Sequence, residues 1–265
     1  MNAPAWQLLS IVWIGASALM AALWLFQRAR RDATIVDAGW AVGLGGAAVL
    51  FAAASPGAAA HRRWIVAAMA GVWAARLTWH LLRDRVARRV EDGRYAKLRR
   101  DWGAKAQAYF FVFFEAQAVL VALLCLPFLV AVRARSVGPG TADLLAALIW
   151  IISLAGETIA DRQLAAFRAD PANRGTTCRV GLWRYSRHPN YFFEWIHWVA
   201  YVPLCLGSPW WFLGLVGPSV MYLLLVFVTG VPPAEARALE SRGDDYRRYQ
   251  RTTSAFFPWR PKEDA

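Results

Sequence analysis

Apolar residues fall into seven long runs separated by short polar segments. A helix needs about 20 apolar residues to cross roughly 30 Å of hydrocarbon, and each run is close to that length. The runs cover about residues 6–26, 35–54, 64–82, 109–132, 142–160, 191–207 and 210–230. We therefore predict an all-α, polytopic membrane protein with seven transmembrane helices in a single integral membrane domain over residues 1–265. We expect no internal repeat, inverted repeat or broken helix.

The basic residues predict the orientation of these helices. Of the 30 Arg and Lys, 25 follow the first, third, fifth and seventh runs. Only Arg62, Arg63, Arg133 and Arg135 fall on the opposite side, and Arg76 lies inside the third run. Because cytoplasmic loops are enriched in Arg and Lys, we expect the N-terminus outside and the C-terminus in the cytoplasm.

Composition narrows the classes of partner. The chain is 58% hydrophobic with a mean hydropathy of +0.30, which is more apolar surface than a soluble domain of 265 residues can bury. The net charge of +12 sits in short blocks between apolar runs, which favours membrane lipids or a phosphorylated ligand over nucleic acid. The three Cys are far apart in the sequence, and we expect no metal site.

Ionisable side chains inside a membrane are costly and often mark a functional site. Five groups of polar residues interrupt or flank the runs. They are Asp37; Arg76, His80 and Arg83; Glu115 and Gln117; Glu157, Asp161 and Arg168; and Asn190, Glu194, His197 and Tyr201. In three of these groups the spacing puts the residues on one face of a helix, as expected for side chains that line an interior. They are the groups that begin at Arg76, at Glu157 and at Asn190.

Each group also has a structural interpretation. Arg83, Asp161 and Arg168 lie near the predicted cytoplasmic boundary, where long side chains reach the headgroups and charges pair at the surface. Asp37 suits the positive end of a helix dipole, and Glu115 suits a hydrogen bond between packed helices. A histidine such as His80 is more often structural when it stands alone.

Two predicted cytoplasmic segments carry a denser pattern. Residues 91–100 read Glu-Asp-Gly-Arg-Tyr-Ala-Lys-Leu-Arg-Arg, and residues 181–194 read Gly-Leu-Trp-Arg-Tyr-Ser-Arg-His-Pro-Asn-Tyr-Phe-Phe-Glu. Pro189 suits the first turn of a helix, where free N–H groups and nearby Arg side chains suit a nucleotide phosphate. The alternative is an ordinary helix start with interfacial aromatic residues and positive-inside Arg.

These segments resemble the steroid 5α-reductase family of membrane proteins. The likeness lies in residues 181–192, in the tail 243–259 (Gly-Asp-Asp-Tyr-Arg-Arg-Tyr-Gln-Arg-Thr-Thr-Ser-Ala-Phe-Phe-Pro-Trp), in 36–40 (Val-Asp-Ala-Gly-Trp) and in 92–95 (Asp-Gly-Arg-Tyr). The resemblance therefore covers about residues 35–259. It implies a seven-helix bacterial inner-membrane protein that holds NADPH in a cavity open to the cytoplasm. It also implies hydride transfer to the C=C of an enone in a lipophilic substrate.

The resemblance also implies residue roles. The cofactor-binding residues would be Asp92, Arg94, Asp161, Arg168, Arg179, Arg187, His188, Asn190, Tyr191 and Glu194. Asn190 and Glu194 would orient the nicotinamide carboxamide, and the Arg side chains would hold phosphates. His80 would be the proton donor toward the carbonyl oxygen, with Asp37 as its partner. A family Tyr is replaced here by His80, and a family Gly by Phe193, so the substrate need not be a steroid.

Two other classes of protein share part of the pattern. Membrane methyltransferases of the isoprenylcysteine and phospholipid type carry a similar Arg-His-Pro-x-Tyr motif and bind S-adenosylmethionine. Their likeness to this chain covers mainly residues 180–259, and Asp37, Asn190 and the 92–95 segment favour the reductase. A non-enzymatic membrane scaffold or transporter would also explain charges at membrane depth.

Overall fold

A computed structural model describes residues 3–84 and 91–263, and all regular structure within these ranges is helical. The first half of the chain contains α1 (Ala5–Arg30), α2 (Ile35–Ala53), α3 (Ala60–Asp84), α4 (Gly93–Trp102), α5 (Ala106–Leu124) and α6 (Leu126–Arg133). The second half contains α7 (Thr141–Ala169), α8 (Pro189–Val199), α9 (Val202–Cys205), α10 (Val216–Leu223) and α11 (Val231–Thr252). The prediction of an all-α fold is confirmed.

Within the described residues, six helical stretches are long and apolar enough to cross a membrane. Large apolar side chains are exposed along them, among them Trp6 (68%), Trp64 (70%) and Trp79 (67%). Monomeric soluble proteins do not expose apolar surface on this scale, so the helices must contact lipid. The chain is therefore an integral membrane protein, as the apolar runs predict.

Two of the predicted helices are interrupted by one or two turn residues, although Gly93–Arg133 still counts as one helical stretch long enough to span a membrane. The fourth run divides at Cys125 into α5 and α6, and the sixth divides at residues 200–201 into α8 and α9. Proline lacks the N–H that would bond to the carbonyl four residues earlier. Pro127 and Pro203 stand two residues beyond these breaks, so the bonds to Leu123 and Val199 cannot form.

The chain forms two compact units, and it passes between them three times. Unit 1 comprises residues 1–144 and 201–217, and unit 2 comprises residues 145–200 and 218–265. Because each unit is built from two separate stretches of the chain, neither corresponds to a continuous sequence domain. The prediction of a single membrane domain remains a prediction.

Small residues allow the helices of unit 1 to pack closely. A Cβ on Gly45 of α2 would lie 2.7 Å from the Cβ of Ala74 on α3, and one on Gly39 would overlap Leu23 of α1. Glu115 accepts a 2.5 Å hydrogen bond from the Ser17 hydroxyl, which joins α5 to α1 as the structural interpretation of Glu115 expects.

An aromatic side chain fills the space between α7 and α8 in unit 2. The ring of Phe193 lies where a Cβ on Gly156 would be, and the Ser153 hydroxyl donates to the Phe193 carbonyl over 2.8 Å. A side chain at position 193 is thus accommodated by the absence of one at position 156. The ring therefore packs between two helices of the same unit.

Candidate functional site

A cluster of charges forms in unit 1 where α2 and α4 begin, and we call it the carboxylate cluster: Asp37, Asp92, Arg94 and Tyr95. The Arg94 guanidinium donates to Asp37 over 2.8 Å and to Asp92 over 3.2 Å. The Tyr95 hydroxyl donates to the other oxygen of Asp37 over 2.6 Å. Two carboxylates thus surround one guanidinium, which leaves the cluster with a net negative charge.

Local structure fixes this cluster in place. Asp92 is the residue before α4, and its carboxylate accepts from the Arg94 N–H over 2.9 Å, a helix N-cap. The Asp92 N–H donates to the Thr34 hydroxyl over 2.9 Å. Next to it, Glu91 accepts from the Ala33 N–H over 2.9 Å. The segment 91–100 is therefore tied to the start of α2, and the neighbouring Asp37 is positioned by these bonds.

The structure bears on the predicted roles of these residues. Arg94 makes ion pairs with two carboxylates of its own unit, and its side chain is 27% exposed. Such a guanidinium is better suited to orienting the carboxylates than to neutralising a phosphate, because its charge is already balanced. The carboxylates themselves repel phosphate but can accept hydrogen bonds from hydroxyl or amide groups.

His80 lies on α3 with Arg76 one turn before it and Arg83 one turn after it. Both His80 and Arg83 are exposed in the folded chain, whereas Arg76 is half-buried. The imidazole is exposed and is therefore not enclosed by its own unit. The proton-donor role of His80 remains a prediction.

In unit 2, α7 and α8 bring together Asp161 and Asn190 from the predicted site. The Asn190 amide donates to the Asp161 carboxylate over 3.3 Å. The other end of the amide, the Asn190 Oδ1, is buried and accepts no hydrogen bond from the described residues. A buried acceptor that lacks a partner is costly, so it marks a place where a donor can bind. Glu194 is buried one helical turn further along α8.

Arg187 and His188, which are predicted to bind the cofactor, make contacts within unit 2, and their cofactor roles remain predictions. Arg187 donates to Glu235 over 2.7 Å and to the carbonyls of Gln250 (3.1 Å) and Thr253 (2.5 Å). The His188 imidazole lies 3.2 Å from the same oxygen of Glu235, and burial lowers the pKa of His188 although Glu235 opposes the shift. Together they hold α11 and the tail against the start of α8.

Two more of the predicted cofactor-binding residues, Tyr191 and Arg179, have defined positions in unit 2. The ring of Tyr191 stacks on His188 with 5.3 Å between ring centroids. Arg179 donates to the carboxylate and the carbonyl of Asp245, each over 2.7 Å. Both contacts lie within unit 2, and the cofactor roles of Tyr191 and Arg179 remain predictions.

A cavity of about 300 Å³ lies at the end of α7, and we call it the arginine cavity. Its wall carries three guanidinium side chains, those of Arg168, Arg174 and Arg242, with Asn173 and Ser241 between them. The described lining contains no carboxylate. Three guanidinium groups around one cavity form a donor set that suits a phosphate ester.

Sequence reasoning identified Arg168 but missed Arg174, Ser241 and Arg242 in this cavity, and it missed Glu235 beneath Arg187. Arg174 and Arg242 lie about 70 residues apart in polar segments, where single Arg residues are common and carry no positional signal. Glu235 carried no clear signal either, since it is one of several carboxylates interspersed with Arg in the C-terminal segment. In the described ranges, no three His, Cys, Asp or Glu side chains are grouped to hold a metal ion.

Comparison with known proteins identifies a family. A family model described as "protein of unknown function (DUF1295)" matches residues 23–253. The match spans the carboxylate cluster, the arginine cavity and the Arg187–Glu235 contact. A search of curated proteins and a search of solved structures gave no match.

Proposed function

We propose, from the premise that the chain belongs to the steroid 5α-reductase-like DUF1295 family, that the protein is an NADPH-dependent membrane reductase. The substrate would be a lipophilic enone whose C=C bond is reduced. The observation that carries the proposal is the arginine cavity, because a cavity with three Arg and no acidic lining residue favours a phosphorylated ligand.

The topology we propose has seven transmembrane segments, with the N-terminus outside and the cofactor site facing the cytoplasm of a bacterial inner membrane. The broken sixth run, α8 and α9, would be the additional span beside the six long helices. The 25 basic residues on one side of that arrangement support it. An even number of spans would divide the basic blocks between both sides.

The residues fit NADPH in two respects. The arginine cavity of Arg168, Arg174 and Arg242 would hold the 2′-phosphate, the group that distinguishes NADPH from NADH. The unsatisfied Oδ1 of Asn190 would accept a hydrogen bond from the nicotinamide carboxamide, with Asp161 fixing the orientation of the Asn190 amide. When bound, NADPH supplies the hydride.

The chain's own residues supply orientation and a proton. The His80 imidazole would donate a proton to the carbonyl oxygen of the enone, since histidine is the side chain that most often acts as a general acid or base. Asp37 would orient this proton donor. It belongs to the carboxylate cluster, where it already accepts a hydrogen bond from the Tyr95 hydroxyl. The Tyr95 hydroxyl is the next candidate donor.

The test is a titration of the purified full-length protein in detergent with NADPH, NADH and S-adenosylmethionine, followed by calorimetry. We expect the tightest binding for NADPH. Preference for S-adenosylmethionine would replace the reductase with a membrane methyltransferase. Binding of none of the three would favour a scaffold or transporter.

The arginine cavity permits a sharper version of this titration. Arg242→Ala should weaken NADPH binding about tenfold or more, since a charge-assisted bond to phosphate contributes roughly 1.5–3 kcal/mol, and should leave NADH binding almost unchanged. Arg162→Ala is the matched control, because Arg162 is exposed on α7 outside the cavity lining. Equal losses for NADPH and NADH would exclude the cavity as the 2′-phosphate site.

A further inference from the structure

The C-terminal tail of unit 2 is fixed to the polypeptide that precedes α8. The Arg187 N–H donates to the Ser254 carbonyl over 2.8 Å, and the Ser186 hydroxyl donates to the Phe256 carbonyl over 2.8 Å. The Trp259 N–H donates to the Tyr185 carbonyl over 2.9 Å. These bonds run along the tail in order, so its side chains have defined positions.

Aromatic contacts place the tail at the end of the apolar helices. Phe256 packs 6.1 Å from Trp195 of α8 and 5.5 Å from Tyr222 of α10, measured between ring centroids. Phe257 packs 5.7 Å from Trp195. Trp195 lies within two turns of the start of α8 at Pro189, so these contacts lie near the end of that helix.

An exposed aromatic pair, Trp259 of the tail and Tyr185 of the segment before α8, lies near this end of the helices. Trp259 is 73% exposed and Tyr185 is 43% exposed, and both line a cavity of about 480 Å³ with Pro258 and Arg260. Exposed Trp and Tyr rings are enriched where the hydrocarbon meets the headgroups of a membrane. The aromatic pair is thus typical of an interfacial position.

A further cavity, of about 490 Å³, lies beside the aromatic pair and is strongly basic. Among the described residues that line it are four cationic side chains and two hydroxyl groups, and none is acidic: Arg179, Arg184, Arg248, Lys262, Thr252 and Thr253, with Pro261. Of the four cations, Arg179 pairs with Asp245, while Arg184 and Lys262 are exposed. The cavity therefore carries excess positive charge.

We propose that this cavity and the adjacent aromatic pair form a binding site for the headgroup of an anionic phospholipid. The phosphate would contact Arg184 and Lys262, while Trp259 and Tyr185 would contact the glycerol and upper acyl region. Anionic lipids attract cations at the cytoplasmic surface, and the amphipathic Trp ring suits the adjacent boundary. The site is separate from the arginine cavity and does not depend on the reaction proposed above.

The experiment titrates the detergent-purified full chain with phosphatidylglycerol and, separately, with phosphatidylcholine, followed by native mass spectrometry. We expect stronger retention of phosphatidylglycerol. The double variant Arg184→Ala and Lys262→Ala should weaken that retention roughly 25-fold, since each charge near an anionic surface contributes about fivefold. Trp259→Ala should weaken retention of both lipids.

The control is the double variant Arg100→Ala and Lys105→Ala, which removes two exposed charges in unit 1. It should retain phosphatidylglycerol like the unmodified protein, and both double variants should keep the same melting temperature. Equal loss in the control would mean that general positive charge, and no defined site, binds the lipid. Full displacement of lipid by millimolar inorganic phosphate, with no effect of Trp259→Ala, would show a free-phosphate site and overturn the lipid assignment.

Discussion

At the scale of single residues, phosphate binding depends on which positive charges are not already balanced by a carboxylate. Arg94 and Arg187 look alike in the sequence as basic residues of cytoplasmic motifs, but both are ion-paired with carboxylates of their own unit. Removing one partner of such a pair leaves the other charge uncompensated. In the arginine cavity, by contrast, no acidic side chain lies in the described lining. The proposal therefore places the phosphate in this cavity rather than at Arg94 or Arg187.

His80 provides the prediction that separates chemistry from cofactor binding. His80→Ala should leave NADPH affinity unchanged and lower turnover of an enone substrate by about 10²–10⁴-fold, the usual contribution of a general acid. The measurement is NADPH oxidation with a panel of steroid and non-steroid enones. Full activity of His80→Ala would transfer the proton-donor role to Tyr95, for which Tyr95→Phe is the direct test.

Asp37 gives a useful comparison with His80. Asp37→Asn keeps the size of the side chain but removes the ion pair with Arg94. It should therefore lower thermal stability as well as turnover, whereas His80→Ala should lower turnover alone.

At the scale of helices, proline and glycine determine where the packing departs from a regular pattern. Periodicity predicts the apolar runs, but Pro203 ends the backbone hydrogen bonding between α8 and α9. Gly156 then accepts the ring of Phe193 between α7 and α8. Both effects are local, and each is explained by one missing atom group: an N–H in proline and a Cβ in glycine.

Gly156→Ala should be destabilising, because the new methyl group would overlap the Phe193 ring. Overpacking of this kind costs roughly 1–3 kcal/mol, although alanine is a better helix former than glycine. Thermal unfolding in detergent is the measurement. Gly46→Ala on α2 is the control, because a Cβ there meets no atom within 4 Å.

A second substitution tests the cause of this effect. Phe193→Ala should restore stability to the Gly156→Ala protein, because it removes the ring that the new methyl group would overlap. If the double variant is as unstable as the sum of the single variants, the two residues do not interact.

At the scale of the whole molecule, charge and hydropathy determine topology. Reporter fusions at the two termini should show the N-terminus outside and the C-terminus in the cytoplasm, because seven spans put the basic segments on one side. A fusion after Gly138, between α6 and α7, is the internal control and should be outside. Finding both termini on one side would exclude the seven-span arrangement.

The sequence by itself determined the helical membrane fold, because runs of about 20 apolar residues have few stable alternatives in a bilayer. It also identified the segments 91–100 and 181–194 by their dense polar patterns. The tail was identified in the same way.

Only the tertiary structure decided which charges pair and which remain in a cavity. Arg174 and Arg242 meet at the end of α7, and Glu235 meets Arg187, across separations of about 48 to 68 residues in the sequence. Such contacts depend on how helices pack and where prolines interrupt them, and no periodic pattern in the sequence encodes them. The lipid and phosphate sites proposed here therefore follow from spatial proximity, whereas the membrane fold follows from composition and spacing.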